Sequence, residues 1–201
     1  MFDDTYKTLA DHSKGLYTEK GSRFIALAFP VENEDQVKQY LADIRKSYYD
    51  ARHHSYAYIL GAEKNAYRVY DDGEPSGSAG RPIYGQLLSY DLTNVLVVVV
   101  RYFGGIKLGI PGLINAYRTA AKDAIDANII IEKTIDETYR LLFDFSEMNA
   151  VMKVLKNDSI KISDQTYLDK YMITFTVRRS EADKFLSSLR KILNVKIEFV
   201  K

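Results

Sequence analysis

A chain of 201 residues, 46% hydrophobic and 27% charged, has the balance of a globular protein and the length for one large or two small domains. Its net charge of +1 supplies no bulk field toward nucleic acid or membrane, so any grip on a polyanion needs a local patch. The absence of Cys removes disulfides, thiolate chemistry and Cys-ligated zinc, and fits a reducing compartment.

The first residues, MFDDTYKTLADHSKG, lack the basic and apolar regions of a signal peptide. The longest apolar run is far shorter than a membrane span. A cytoplasmic protein without membrane contact is expected. Residues 15–31 contain two short extended pieces broken at Lys20-Gly21, a hairpin that ends at Pro30. Asn33 then caps a helix, with Gln36 placed to reach back and Val37, Leu41, Ile44 and Tyr48 forming one apolar stripe. Residues 54–60 and 67–70 read as strands. A glycine-rich loop, DDGEPSGSAGRP (71–82), leads into a short helix opened by Arg81-Pro82. Residues 94–103 form a central strand around Val95-Leu96-Val97-Val98-Val99-Val100. A second loop within RYFGGIKLG (101–109) leads into a helix from about Pro111 to Ala127. Leu113, Tyr117, Ala120 and Ala124 lie on its buried face, and Asn115, Arg118, Lys122 and Asp126 on its wet one.

The pattern changes near Ile130. Strand (134–145), helix (147–156), strand (158–166), strand (170–178), helix (180–192) and strand (195–200) give the order βαββαβ of a ferredoxin-like sandwich. The expected architecture is α+β in two domains, residues 1–131 and 132–201, with the boundary near 129–133. Neither half is a polycation.

The two glycine loops concentrate the candidate chemistry. The second precedes a helix N-terminus, where free N–H groups and the dipole suit an anion, with Arg101 and Lys107 adding charge. It matches neither a Walker A loop nor GxGxxG, and tight turns explain the glycines equally well. The first loop carries Asp71, Asp72, Glu74, Ser76, Ser78 and Arg81, which suit a binding loop, an oxygen-ligated cation or plain turn chemistry. His53 and His54 are adjacent, so in a strand they face opposite ways and cannot share a metal. Ser55, Ser76 and Ser78 lack a G-x-S-x-G elbow. The chain's 16 Tyr and 9 Phe serve as strand core or as stacking surface for single-stranded nucleic acid.

ARHHSYAYILG (51–61), DDGEPSGSAGRPI (71–83), NVLVVVVRYFGGIKLG (94–109) and GLINAYRTAAKDAI (112–125) together resemble the YigZ/IMPACT family. The resemblance runs through most of residues 15–127, and the C-terminal βαββαβ piece resembles the small second domain of bacterial members. It implies an N-terminal domain like the second domain of ribosomal small-subunit protein five and domain IV of elongation factor G, and a C-terminal domain like domain V of that factor. It also implies a translation-associated regulatory or binding role, with RNA, the ribosome or a protein as partner; from the residues themselves, no cofactor or metal is expected. Eukaryotic relatives regulate translation by competing for the activator of a starvation-responsive kinase. That role belongs with an extra N-terminal domain not matched here and is not carried over. Three positions depart from the family pattern: Ser55 stands where Cys is frequent, Pro111 where Gly is frequent, and Asn115 where a basic residue is frequent. The positions carried over as a binding surface are Asp72, Glu74, Ser76, Ser78, Arg81, Arg101, Tyr102, Gly104 and Gly105. Lys107 and Arg118 are added from the helix-terminus reading, with Tyr102 as a stacking ring. The alternatives are an enzyme acting on a small phosphorylated or peptide-like substrate with Asp72 or Glu74 as base, and a protein-interaction module.

Overall fold

A computed structural model describes residues 4–201. In chain order the elements are β1 (Thr5–Leu9), β2 (Ser13–Glu19), β3 (Ser22–Pro30), α1 (Glu34–Ser47), β4 (His53–Leu60), β5 (Ala66–Tyr70), α2 (Gly80–Ser89), β6 (Val95–Tyr102), α3 (Gly109–Asp126), β7 (Ile130–Thr134), β8 (Asp136–Phe143), α4 (Met148–Leu155), β9 (Ile160–Tyr167), β10 (Tyr171–Arg178), α5 (Arg179–Leu189) and β11 (Lys196–Phe199). They divide into two compact units, one of residues 6–133 and one of residues 134–201 with Asp4 and Thr5.

The first unit is built on a five-stranded sheet in the order β2-β3-β6-β4-β5, antiparallel throughout. Its centre is β6, where Val95 to Val100 are fully buried. A strand buried on both faces needs no alternation, hence the unbroken valine run. Val95, Val97 and Val99 face a core shared with α2 and α3, while Leu96, Val98 and Val100 face the core under α1. This alternation assigns every residue at the end of β6 to one face or the other. The β2–β3 turn uses Lys20 and Gly21, both at positive φ (46° and 80°), the geometry that matches hairpin twist. In α1, Asn33 accepts from the Gln36 N–H at 3.0 Å, and Gln36 Oε1 accepts from the Glu32 N–H at 2.8 Å. Gln36 thus reaches one residue further back than a capping box does. α3 lies on β2 with a face of Ala116, Ala120, Ala121 and Ala124. A Cβ on Gly15 would sit 2.3 Å from the Ala124 nitrogen, so this glycine is what lets helix and strand approach so closely.

Two strands escaped the sequence reading. β1 and β7 pair as a separate two-stranded ladder. β7 occupies the stretch expected to be the domain boundary, and the long strand expected at 134–145 is β8 alone, ending at Phe143. Both missed strands are short, and most of their residues are exposed or half-buried. They therefore lack the hydrophobic alternation that marks a strand on a core.

The second unit has sheet order β11-β8-β10-β9, with all pairs antiparallel. This is the ferredoxin-like arrangement that the βαββαβ order predicts. Tyr139, Leu141, Phe143, Ile173, Phe175 and Val177 face a core shared with Val151 and Leu155 of α4 and with Phe185, Leu186 and Leu189 of α5. Asp4 belongs to this unit. Its carboxylate accepts from Arg178 Nε and Nη2, both at 2.7 Å, and from the Ser180 N–H at 3.2 Å. It caps the start of α5, and the Arg178 side chain and Ser180 hold its carboxyl well below the usual carboxylate range.

Candidate functional site

The first glycine loop is held by its own acids. The Asp71 carboxylate accepts from the Gly77 N–H at 2.8 Å, the Ala79 N–H at 3.1 Å and the Gly80 N–H at 2.8 Å. Because Ala79 gives α2 no side-chain cap, Asp71 caps that helix from across the loop. Ser55 Oγ donates to the Asp71 carbonyl at 2.7 Å. Asp72 sits at φ 47°, and its carboxylate accepts from the His54 N–H at 2.7 Å and from Arg45 at 3.3 Å. His53 Nδ1 donates to the Asp72 carbonyl at 2.7 Å, while His54 Nε2 donates to the Tyr48 carbonyl at 3.0 Å. The two rings bond different carbonyls, Asp72 for His53 and Tyr48 for His54, and both residues help to hold Asp72. Ser78 is fully buried and donates to the Pro75 carbonyl at 2.6 Å, a turn contact. Ser76 is exposed.

Glu74 and Arg101 form the floor of a cleft. Both are buried, at 8% and 6% exposure. Arg101 Nη1 donates to both Glu74 oxygens, at 2.7 and 2.9 Å, and the Tyr117 hydroxyl donates to Glu74 Oε1 at 2.7 Å. Burial, then the negative charge of Glu74, pushes the Tyr117 phenol far above its ordinary value, so it stays a neutral donor. The Arg101 guanidinium carbon lies 5.4 Å from the Phe24 ring centroid and 5.7 Å from that of Phe103. Arg101 Nε is buried without a hydrogen-bond partner among the described residues.

The cleft has a volume of about 470 Å³, within the range of small-ligand sites. Arg52 and His53 line it from the start of β4, Glu74 and Pro75 from the first loop, Phe103, Lys107 and Leu108 from the second, and Gly109, Ile110 and Leu113 from α3. The antiparallel register that sets His53 opposite Arg101 brings β4 to this place. α3 begins here with no side-chain cap and no acid in its first turn. Its free N–H groups and positive dipole end are therefore not neutralised locally. A second recess, of about 400 Å³, is lined by Gly77, Arg81, Pro82, Gly85, Gln86, Ile114 and Arg118. The 74–77 segment contributes to both, Glu74 and Pro75 to the cleft and Gly77 to the recess.

The structure therefore divides the expected site residues. Glu74, Arg101 and Lys107 meet in the cleft, and Arg81 and Arg118 meet in the neighbouring recess. Tyr102 joins neither. It faces the α1 side of the sheet, donates to Asp50 at 2.7 Å and lies under Arg23. Gly104 is a packing glycine, since a Cβ there would fall 1.9 Å from the Gly21 carbonyl carbon. Gly105, at φ 90°, supplies a turn. Arg52, Phe103, Leu108 and Ile110 were not expected as site residues. The alternation along β6 was the available signal, because it places Phe103 beside Arg101 and away from Tyr102. Among the described residues no group of three or more His, Cys, Asp or Glu side chains could hold a metal ion. Nor is any helix among them long and apolar enough to cross a membrane.

Comparison with known proteins agrees with the motif reading. The chain is 29% identical over 192 residues to IMPACT family member YvyE of Bacillus subtilis, covering 96% of this chain and 87% of that one. It is 30% identical over 172 residues to IMPACT family member YigZ of Escherichia coli, covering 85% and 84%. A crystal structure described as that of a hypothetical protein superposes with a TM-score of 0.78 at 26% identity, covering 98% of both chains. Mouse Protein IMPACT is 33% identical over 149 residues, covering 72% of this chain and 43% of that one. Residues 20–125 match the Impact N-terminal domain, and with these relatives along its length the chain belongs to the IMPACT family.

Proposed function

We propose that this protein is a translation-associated binding protein that holds single-stranded RNA across the two recesses flanking the 74–77 segment. One observation carries the reading. Arg52, Lys107, Arg81 and Arg118 are exposed and line these recesses, and their side chains make no ion pair or hydrogen bond with other described residues. Unpaired cations beside an exposed aromatic, here Phe103 at 51% exposure, suit a strand whose phosphates meet charge and whose bases stack. Family membership supports the translational side of the reading. The acids support binding over catalysis: Asp71, Asp72 and Glu74 are all engaged in holding the fold, so a base role would have to break those contacts.

The test is retention of a single-stranded oligoribonucleotide by the full chain across a salt series. Wild type is expected to lose affinity as salt rises, and a variant with Arg52, Lys107, Arg81 and Arg118 all changed to Ala to lose up to about 3 from the log–log salt slope. Binding that ignores salt, or that survives intact in the variant, would overturn the proposal.

A further inference from the structure

Arg101 holds Glu74 through one nitrogen only. Both Glu74 oxygens take Nη1, and Nε is buried without a partner among the described residues. The Nε–Nη2 edge is the side of a guanidinium that clasps an oxyanion with two parallel bonds. Around the same cleft stand the unpaired cations Lys107 and Arg52 and the uncapped start of α3. The same cleft is also lined by apolar side chains, those of Phe103, Leu108, Ile110 and Leu113. The floor is closed by the Glu74–Arg101 pair, with Tyr117 fully buried beneath it.

From this geometry we infer that the cleft takes a terminal phosphate monoester on a flat or apolar body: the end of a nucleotide, not the middle of a strand. A closed floor leaves no exit for a continuing backbone. A phosphodiester has two free oxygens, whereas a terminal phosphate has three and a second charge. That matches a cleft lined by Arg101, Lys107 and Arg52 together with a helix N-terminus. The Phe103 ring and its aliphatic neighbours then receive the attached body. The inference rests on the binding reading above and sharpens it.

Two titrations of the full chain test it. One uses a nucleoside 5′-monophosphate against the nucleoside alone. The other uses one oligoribonucleotide sequence with a 5′-phosphate or a 5′-hydroxyl. In each pair the phosphorylated ligand is expected to bind at least about tenfold tighter, the effect of one charge-assisted clasp. Lys107→Ala and Arg52→Ala, both at exposed positions, should each erode that preference, and Phe103→Ala should weaken both partners alike. Arg101→Lys keeps a cation for Glu74 but lacks the two-nitrogen edge. If its circular dichroism is unchanged it should lose the preference, and if it unfolds the rim variants decide. Equal, salt-sensitive binding of both oligonucleotides overturns this inference and leaves the RNA reading standing. Monophosphate binding without oligonucleotide binding upholds it and overturns the RNA reading.

Discussion

The two glycine-rich loops look alike in sequence and differ in what their side chains do. In residues 71–80 the acids turn inward: Asp71 binds three backbone N–H groups, Asp72 binds a fourth, and Glu74 neutralises a buried arginine. In residues 103–110, Phe103, Ile106, Lys107 and Ile110 all face solvent. A polar residue in a glycine loop is therefore no guide to ligand binding until its hydrogen bonds have been followed. The first loop is a scaffold, and the second, whose side chains are exposed, is the contact surface proposed above.

The comparison fails if first-loop substitutions leave stability untouched. Glu74→Ala should have the largest effect, about 3–5 kcal/mol, because it leaves Arg101 buried and uncompensated. Urea denaturation measures it, and a loss under 1 kcal/mol would show that the pair does not hold the floor. Asp71→Ala should follow at about 2–3 kcal/mol, since three N–H groups lose their acceptor and α2 its cap. Gly104→Ala sharpens the contrast by marking a residue of the second loop that acts as scaffold. Its Cβ would meet the Gly21 backbone, at a cost of about 1–3 kcal/mol by overpacking.

Asp4 offers a test outside the loops. Its carboxyl is held well below the ordinary range by Arg178 and Ser180, so the folded state binds a proton less readily than the unfolded chain. The resulting stabilisation is complete above the unfolded carboxylate value, about pH 4, and fades as pH falls through the folded one. Wild type should therefore exceed Asp4→Asn in urea midpoint at pH 7, and the gap should narrow toward pH 3. A gap independent of pH would mean that the contact does not depend on charge. The smallest effects belong to Ser76→Ala and Lys107→Ala, both within about 0.5 kcal/mol of wild type because these side chains are exposed and unpaired. Of the two, only Lys107→Ala should weaken ligand binding.

Most of this fold could be read from the sequence because its signals are local. The valine run of β6, the Lys20-Gly21 turn, the Asn33 cap and the alternation in β8 and β10 each depend on neighbours within a few residues. β1 and β7 depend on each other across the length of the first unit, which no local pattern reveals. The site was half legible for the same reason. Composition singled out both loops, yet whether Glu74 faces a ligand or Arg101 is decided by a pairing 27 residues apart. The face on which Tyr102 lies could have been read from β6 alone, by counting alternate positions from Val95.

The division between scaffold loop and contact loop is tested most directly by ultraviolet cross-linking of single-stranded RNA to the full chain, followed by peptide mapping. The account predicts adducts at Phe103 and in the 103–110 segment, lost with Lys107→Ala and Arg52→Ala in combination. Adducts confined to residues 71–80 or to residues 134–201, or none at all, would contradict it.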